Sequence, residues 1–234
     1  MSECKIPWIL ERGHEAKAIE LLSAYFGPDG KRTAYTGSHF ETLGGAWDEG
    51  PADLITAGDL IAVSALSVDI PAAASIKILG TEADRITALL KQISRDLELP
   101  DASDEIVDAG APAELWSLLR ELPGMGPTTT SKLLARKRPR LVPIYDSVVA
   151  SVYGIPDSRG YWRAMRTLVK TDNLWQRADQ LRVRAGLSPL ITPLRVIDIV
   201  VWMHGKTNVD RGALTSLTSS SKGANNGGRD SADQ

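Results

Sequence analysis

Cysteine is nearly absent: Cys4 is the only one in 234 residues. A single thiol excludes an internal disulfide framework, a zinc site built on cysteine pairs and a four-cysteine iron–sulfur cluster. Histidine is scarce as well. His14, His39 and His204 stand far apart, with no metal-ligand spacing among them, so no metal centre is expected. Long hydrophobic runs are missing, and a membrane span needs roughly eighteen or more apolar residues in succession. The opening MSECKIPWILERGHEAK has no apolar core followed by a cleavage site. The expectation is a soluble chain in the reducing cytoplasm, without a membrane partner.

What is present is globular. Hydrophobic residues make up 43% and charged residues 24%, enough to bury a core without covalent staples. The net charge of −2 conceals an asymmetry: residues 1–115 carry 9 Lys and Arg against 20 Asp and Glu, and residues 116–234 carry 18 against 9. A basic half suits a polyanionic partner. Alternatively, the two halves attract each other within the fold.

The periodicity is helical almost throughout. Helices are expected over 16–26, 57–68 and about 82–96, the last capped by Thr81. Residues 99–111 read as an acidic linker. Pro112 opens a helix in which Leu115, Leu118, Leu119 and Leu122 fall on one face. Gly126 and Pro127 cap a helix from Thr128 to about Lys137, and Asp146 caps one running to Tyr153. Further helices are expected over about 159–171, 173–186 and 193–204, the last opened by Thr192-Pro193. No alternating strand pattern and no internal repeat occurs. The fold class is therefore all-α, with two helical subdomains, an acidic one over 1–110 and a basic one over 111–206. The polar tail, 207–234, should be disordered.

The chemistry concentrates in residues 122–154. Leu-Pro-Gly-Met-Gly-Pro joins two helices through a tight turn. Its glycines permit positive φ and leave backbone N–H groups uncovered beside a helix N-terminus, where an anion is favoured. Thr128 and Thr129 add hydroxyls, and Lys132, Arg136 and Lys137 follow closely. Such a cluster reads as a grip on phosphates that carries no base specificity; the bland alternative is an ordinary helical hairpin. The helix after the turn is roughly 15 Å long. The segment 138–146 is long enough to return along it and set Asp146 beside the turn.

The stretch LPGMGPTTTSKLLARKRPRLVPIYDSVVASVYG resembles the helix-hairpin-helix DNA glycosylase superfamily, in turn, spacing, return proline and helix-opening aspartate. More broadly, the chain resembles bacterial proteins sharing YxGSxFE and LPGxGP…RPRLxPxYD motifs. The resemblance implies that Asp146 is the catalytic carboxylate. It would stabilise positive charge on the sugar as a flipped base departs and help to position water. It implies that Gly124, Met125, Gly126, Thr128, Thr129, Lys132, Arg136 and Lys137 contact duplex DNA. No cofactor is implied beyond a monovalent cation held by carbonyls near Leu122 and Met125. Bifunctional relatives carry a lysine where this chain has Thr128, which implies a monofunctional hydrolase without lyase chemistry. The target would be a damaged host base, in repair, or a hypermodified phage base, in antiviral defence. A non-catalytic DNA-binding module serving a partner enzyme is the alternative.

Tyr35, His39, Phe40 and Glu41 fall in one loop and are read as a pocket for the flipped base; a surface loop with buried aromatic anchors is the competing reading. Trp47 and Trp162 are assigned to the core rather than to base stacking. Asp198, within the apolar LRVIDIVVWM, is expected to be buried and paired, or to support the active site. Arg159, Arg163, Arg166 and Lys170 recur at helical spacing, on a solvated face or a DNA face.

Overall fold

A computed structural model of the chain describes residues 4–27, 35–155 and 157–222, with side chains to residue 207. Among these residues there is no β-strand, and the all-α expectation holds. Eleven α-helices follow in order: α1 (Glu15–Phe26), α2 (Ala57–Ser64), α3 (Ala72–Ile76), α4 (Ala83–Lys91), α5 (Asp104–Asp108), α6 (Ala111–Arg120), α7 (Pro127–Lys137), α8 (Ser147–Tyr153), α9 (Tyr161–Lys170), α10 (Leu174–Arg184) and α11 (Pro193–Lys222).

Local chemistry explains most boundaries. Thr56 and Asp59 form a reciprocal capping box at the start of α2. The Asp146 side chain accepts the Val148 N–H and starts α8, as expected. Thr192 does the same for α11, its hydroxyl accepting the Arg195 N–H at 3.3 Å. Gly154, at φ 67°, ends α8 in the left-handed conformation that glycine tolerates best.

Other boundaries depart from expectation. Residues 99–111 are not a linker: a 3-10 turn at Leu99–Asp101 leads into α5, which Ser103 caps. Thr81 caps nothing; it closes a π-turn, Lys77–Thr81, and the Glu82 backbone precedes α4. The last helix continues to Lys222 rather than ending near 204, so part of the segment expected to be disordered is helical. Residues 223–234 of that tail, and residues 28–34 of the turn-rich segment, lie outside the described residues.

One hydrophobic cluster draws on the whole chain, with Leu22, Leu90, Leu119, Leu133 and Val200 all fully buried. α11 packs against α1, α8 and α10, while α7 packs against α2 and α6. α8 crosses α11 at Gly205, where an added Cβ would lie 2.7 Å from a Val148 methyl and 2.8 Å from one of Val152. The acidic and basic halves are joined by buried ion pairs: Asp59 with Arg136 and Lys137, and Glu41 with Arg195. Part of the charge asymmetry is therefore used inside the fold. Among the described residues no helix is long and apolar enough to cross a membrane.

Candidate active site

The turn between α6 and α7 requires glycine at 124 only, and Gly126 does not take the positive φ expected of it. Gly124 sits at φ +74°, and a Cβ there would meet the Pro71 ring at 2.7 Å. Gly126 has open space around it and supplies the N-cap of α7. Met125 is buried, so its side chain is core rather than a DNA contact. Its carbonyl accepts the Arg120 guanidinium, and the Leu122 carbonyl accepts the Met125 N–H at 3.1 Å. The Met125 carbonyl, one of those the resemblance assigns to a monovalent cation, is thus taken by the Arg120 guanidinium.

The basic run behind the turn is not a DNA face. Lys132, Arg136, Lys137 and Arg138 are all buried. Arg136 donates to Asp59 at 3.2 Å and to the Phe40 carbonyl at 2.6 Å; Lys137 donates to Asp59 at 3.0 Å and to the Pro51 carbonyl at 2.9 Å. Burial alone would push Asp59 upward, but the Thr56 N–H and the Lys137 ammonium outweigh it and hold the carboxyl below its ordinary range. Burial likewise draws Lys137 down. Arg136 and Lys137, expected to grip phosphate, instead fasten α7 to α2 and the loops around it. Thr129 is buried too, whereas Thr128 lines the open cleft described next.

The return segment behaves as its length allows. The Ser131 hydroxyl accepts the Tyr145 N–H at 2.9 Å, tying the returning chain to α7. This sets Asp146 beside Thr128 and Lys132 in a cleft of about 530 Å³. One oxygen of Asp146 accepts the Val148 N–H at 2.9 Å. The other faces the Lys132 ammonium at 3.4 Å, and Lys132 also donates to the Leu66 carbonyl at 2.9 Å. Lys132, expected on phosphate, is instead the partner of the Asp146 carboxylate. The 65–68 loop forms one lip of the cleft, with Ser67 at φ 59°, an uncommon conformation for a residue with a Cβ.

The opposite wall is aromatic. Tyr35 stacks on Tyr25 with ring centroids 5.3 Å apart and planes within 8°. Trp202 meets both edge-on, and the Lys206 ammonium lies 4.9 Å from the Trp202 ring centre. Of the four residues expected to form a base pocket, only Tyr35 lines this cleft. His39 is exposed, and Phe40 and Glu41 are buried behind the wall. They turn away because Tyr35–Glu41 is not an open loop: its central residues, Thr36–His39, form a 3-10 turn.

Behind the cleft, Arg195 organises a buried polar cluster. Its guanidinium donates to Glu41 at 2.8 Å, to the Tyr25 hydroxyl at 2.8 Å, to the Gly37 carbonyl at 2.9 Å, and to Asp198. Burial would lower the Arg195 pKa, but Tyr25, Glu41 and Asp198 together hold it above the ordinary arginine range. Burial raises Asp198 to about 6 despite Arg195, and raises Glu41 as well. Asp198 is thus buried and paired with an arginine, the first of the two alternatives, and its side chain also lines the cleft.

Tyr25, Arg195, Trp202 and Lys206 were not singled out in the sequence. A signal was available for α11: Arg195, Asp198, Trp202 and Lys206 recur at three- and four-residue steps on an otherwise apolar helix. Trp47 donates its indole N–H to the Leu190 carbonyl at 3.0 Å beneath Arg95, a structural role. Trp162 meets Trp116 edge-on, away from the cleft. Arg159, Arg163 and Arg166 pair with Asp157, Asp108 and Asp104, and Lys170 is exposed.

Among the described residues no three His, Cys, Asp or Glu side chains converge to hold a metal ion. No curated protein and no solved structure matches the chain. The model of a family of unknown function, DUF6308, matches residues 18–205, and the chain belongs to that family.

Proposed function

We propose that the protein is a monofunctional DNA N-glycosylase, hydrolysing the bond between a flipped base and its sugar and leaving an abasic site. The observation that carries this reading is the setting of Asp146. Its carboxylate is fixed by the Val148 N–H and Lys132, at the edge of a cleft faced by stacked aromatic rings. A volume of about 530 Å³ is in the range of small-molecule sites. In this reading α6 and α7 are a helix-hairpin-helix element between two subdomains. The Gly126 backbone and the N-terminus of α7 approach a phosphate, and the nucleotide enters past Thr128. Tyr35 and Trp202 offer faces and edges against which a base packs. As the C1′–N bond lengthens, positive charge grows on the sugar and Asp146 opposes it. Water then adds to C1′.

No lysine stands where Thr128 does, and the Lys132 amine is committed to the Leu66 carbonyl and Asp146. The product is therefore a hydrolysed abasic site, not a broken strand. Host lesions and hypermodified phage bases are the two substrate classes.

The test is strand breakage after alkali on lesion-bearing duplexes and on modified phage DNA. Breakage only after alkali, abolished by Asp146→Asn, is the expected result. Salt-sensitive DNA binding without breakage would assign the protein to the non-catalytic DNA-binding class instead. Because Arg136 and Lys137 are internal, they should not contribute to that salt dependence.

A further inference from the structure

The cleft contains a second carboxyl group that the proposed mechanism leaves idle. Asp198 projects from α11 into the cleft that Asp146 enters from the head of α8. The two are differently held. Both oxygens of Asp146 are engaged, by a backbone N–H and an ammonium. Only one oxygen of Asp198 is engaged, by Arg195; Oδ1 has no hydrogen-bond partner among the described residues. Its side chain lines the cleft and keeps 12% exposure.

The charges around it are shared among several groups. Facing Asp198 are Arg195 on its own helix, Lys132 from α7, Asp146 before α8, and the hydroxyls of Tyr153, Tyr25 and Tyr161 from α8, α1 and α9. Arg195 is shared with Glu41, whose Oε2 is buried without a partner. Glu41 also feels Arg136, but its hydrogen bond is to Arg195, so Asp198 shares its one hydrogen-bonded cation with a second carboxyl group. A small cavity of about 20 Å³ lies between Glu41 and Asp198, large enough for one water molecule.

Resting on the base-excision reading, we infer that Asp198 is the proton donor to the departing base, and Asp146 the group that faces the sugar. Asp198 starts in the acid form. The C1′–N bond breaks and its electron pair goes to the base nitrogen. The Asp198 proton moves to the base, which leaves neutral. Water bonds to C1′ through its oxygen and loses a proton to Asp146. The net change is one water consumed, one base and one abasic site formed. Asp146 then releases its proton to solvent and Asp198 recovers one, which restores both groups. The Asp198 pKa near 6 agrees with this division of roles.

Bases that differ in their need for a proton give the test. A 7-methylguanine leaves as a neutral base without protonation, whereas hypoxanthine benefits from a proton. On duplexes carrying each, wild-type release of hypoxanthine should fall above pH 6 while 7-methylguanine release stays flat. Asp198→Asn should lose hypoxanthine release by about 100-fold or more and keep 7-methylguanine release within a few fold. Asp146→Asn should lose both. Equal loss of both bases in Asp198→Asn, or pH profiles of the same shape in wild type, would overturn the inference and leave the glycosylase reading standing. Release of neither base, from these duplexes or modified phage DNA, would overturn both.

An independent readout needs no substrate. The carboxyl carbon resonance of Asp198 in the full wild-type chain, identified by its loss in Asp198→Asn, should titrate near pH 6. A resonance already fully shifted below pH 4.5 would overturn the assignment even if base release is observed.

Discussion

Replacing Asp59 by alanine would leave two buried cations without their counter-charge. Arg136 and Lys137 converge on this one carboxylate at 3.2 and 3.0 Å, and all three side chains are at most 7% exposed. Removing one partner of a buried ion pair costs about 3–5 kcal/mol, because the charge left behind has lost its hydration without compensation. Asp59 also closes the capping box with Thr56, worth about 1 kcal/mol. These losses overlap, so the expected total is about 4 kcal/mol, a large share of the roughly 5–15 kcal/mol that stabilises a typical domain. With an m-value of about 3 kcal/mol/M in urea, that loss lowers the unfolding midpoint by about 1.3 M. Equilibrium unfolding followed by circular dichroism reads this directly. Asp59→Asn, which can still accept the Thr56 N–H, should lose less and so isolate the charge term. A midpoint for Asp59→Ala within 0.3 M of wild type, by contrast, would show that α7 does not depend on this carboxylate. The case for an internal basic run would then fail, and the phosphate grip would return. The pH dependence has a defined sign. The folded pKa of Asp59 is depressed, so its contribution is complete above the ordinary carboxyl value of about 4 and is lost as pH falls through the lower folded value.

Three further outcomes are expected. Gly124→Ala should destabilise by at least about 1 kcal/mol, from the left-handed backbone and the contact with Pro71; combining it with Pro71→Ala should recover the part due to the contact, measured by thermal unfolding. Tyr153→Phe should be neutral, or stabilising by up to about 1 kcal/mol, because the buried hydroxyl has no partner among the described residues; a loss above 1 kcal/mol in urea would reveal a bond that this geometry does not contain. Asp198 acts oppositely to Asp59: its folded pKa is raised, so its contribution is greatest below about pH 4 and is lost as pH rises through about 6. The melting temperature of Asp198→Asn should therefore fall less between pH 5 and 7 than that of wild type.

Several helices and three of their starts were legible because they rest on local chemistry, whereas α3, α5 and the start of α4 were not. Gly126-Pro127, Asp146 and Thr192-Pro193 each act through atoms within a few residues. The location of Asp146 was legible for a different reason, since chain length permitted the return that the Ser131–Tyr145 bonds now fix. The burial of Arg136 and Lys137 was not visible, because a basic run on a helix looks the same whether it meets water, phosphate or a buried Asp59. The opposed charges of the two halves held the clue, but they do not say which residues pair. The aromatic wall was also hidden. Tyr25 and Tyr35 stand ten residues apart and Trp202 far along the chain, and only packing brings their rings together.

Gly205 gives the cleft a gauge. α8 carries Asp146 at its head and rests on α11 at this glycine, while α11 carries Asp198 and Trp202 on the facing wall. The missing side chain therefore sets the distance between the two walls, from a position outside the cleft itself. A methyl group there meets Val148 and Val152 closer than atoms tolerate, so α8 must shift or the valines must shrink. Paired changes at 205, 148 and 152 would act as shims, moving the head of α8 and Asp146 with it while leaving the chemical identity of the cleft's polar groups unaltered. The width of the cleft and its chemistry would then be set by separate groups of residues, one between the helices and one lining the cleft.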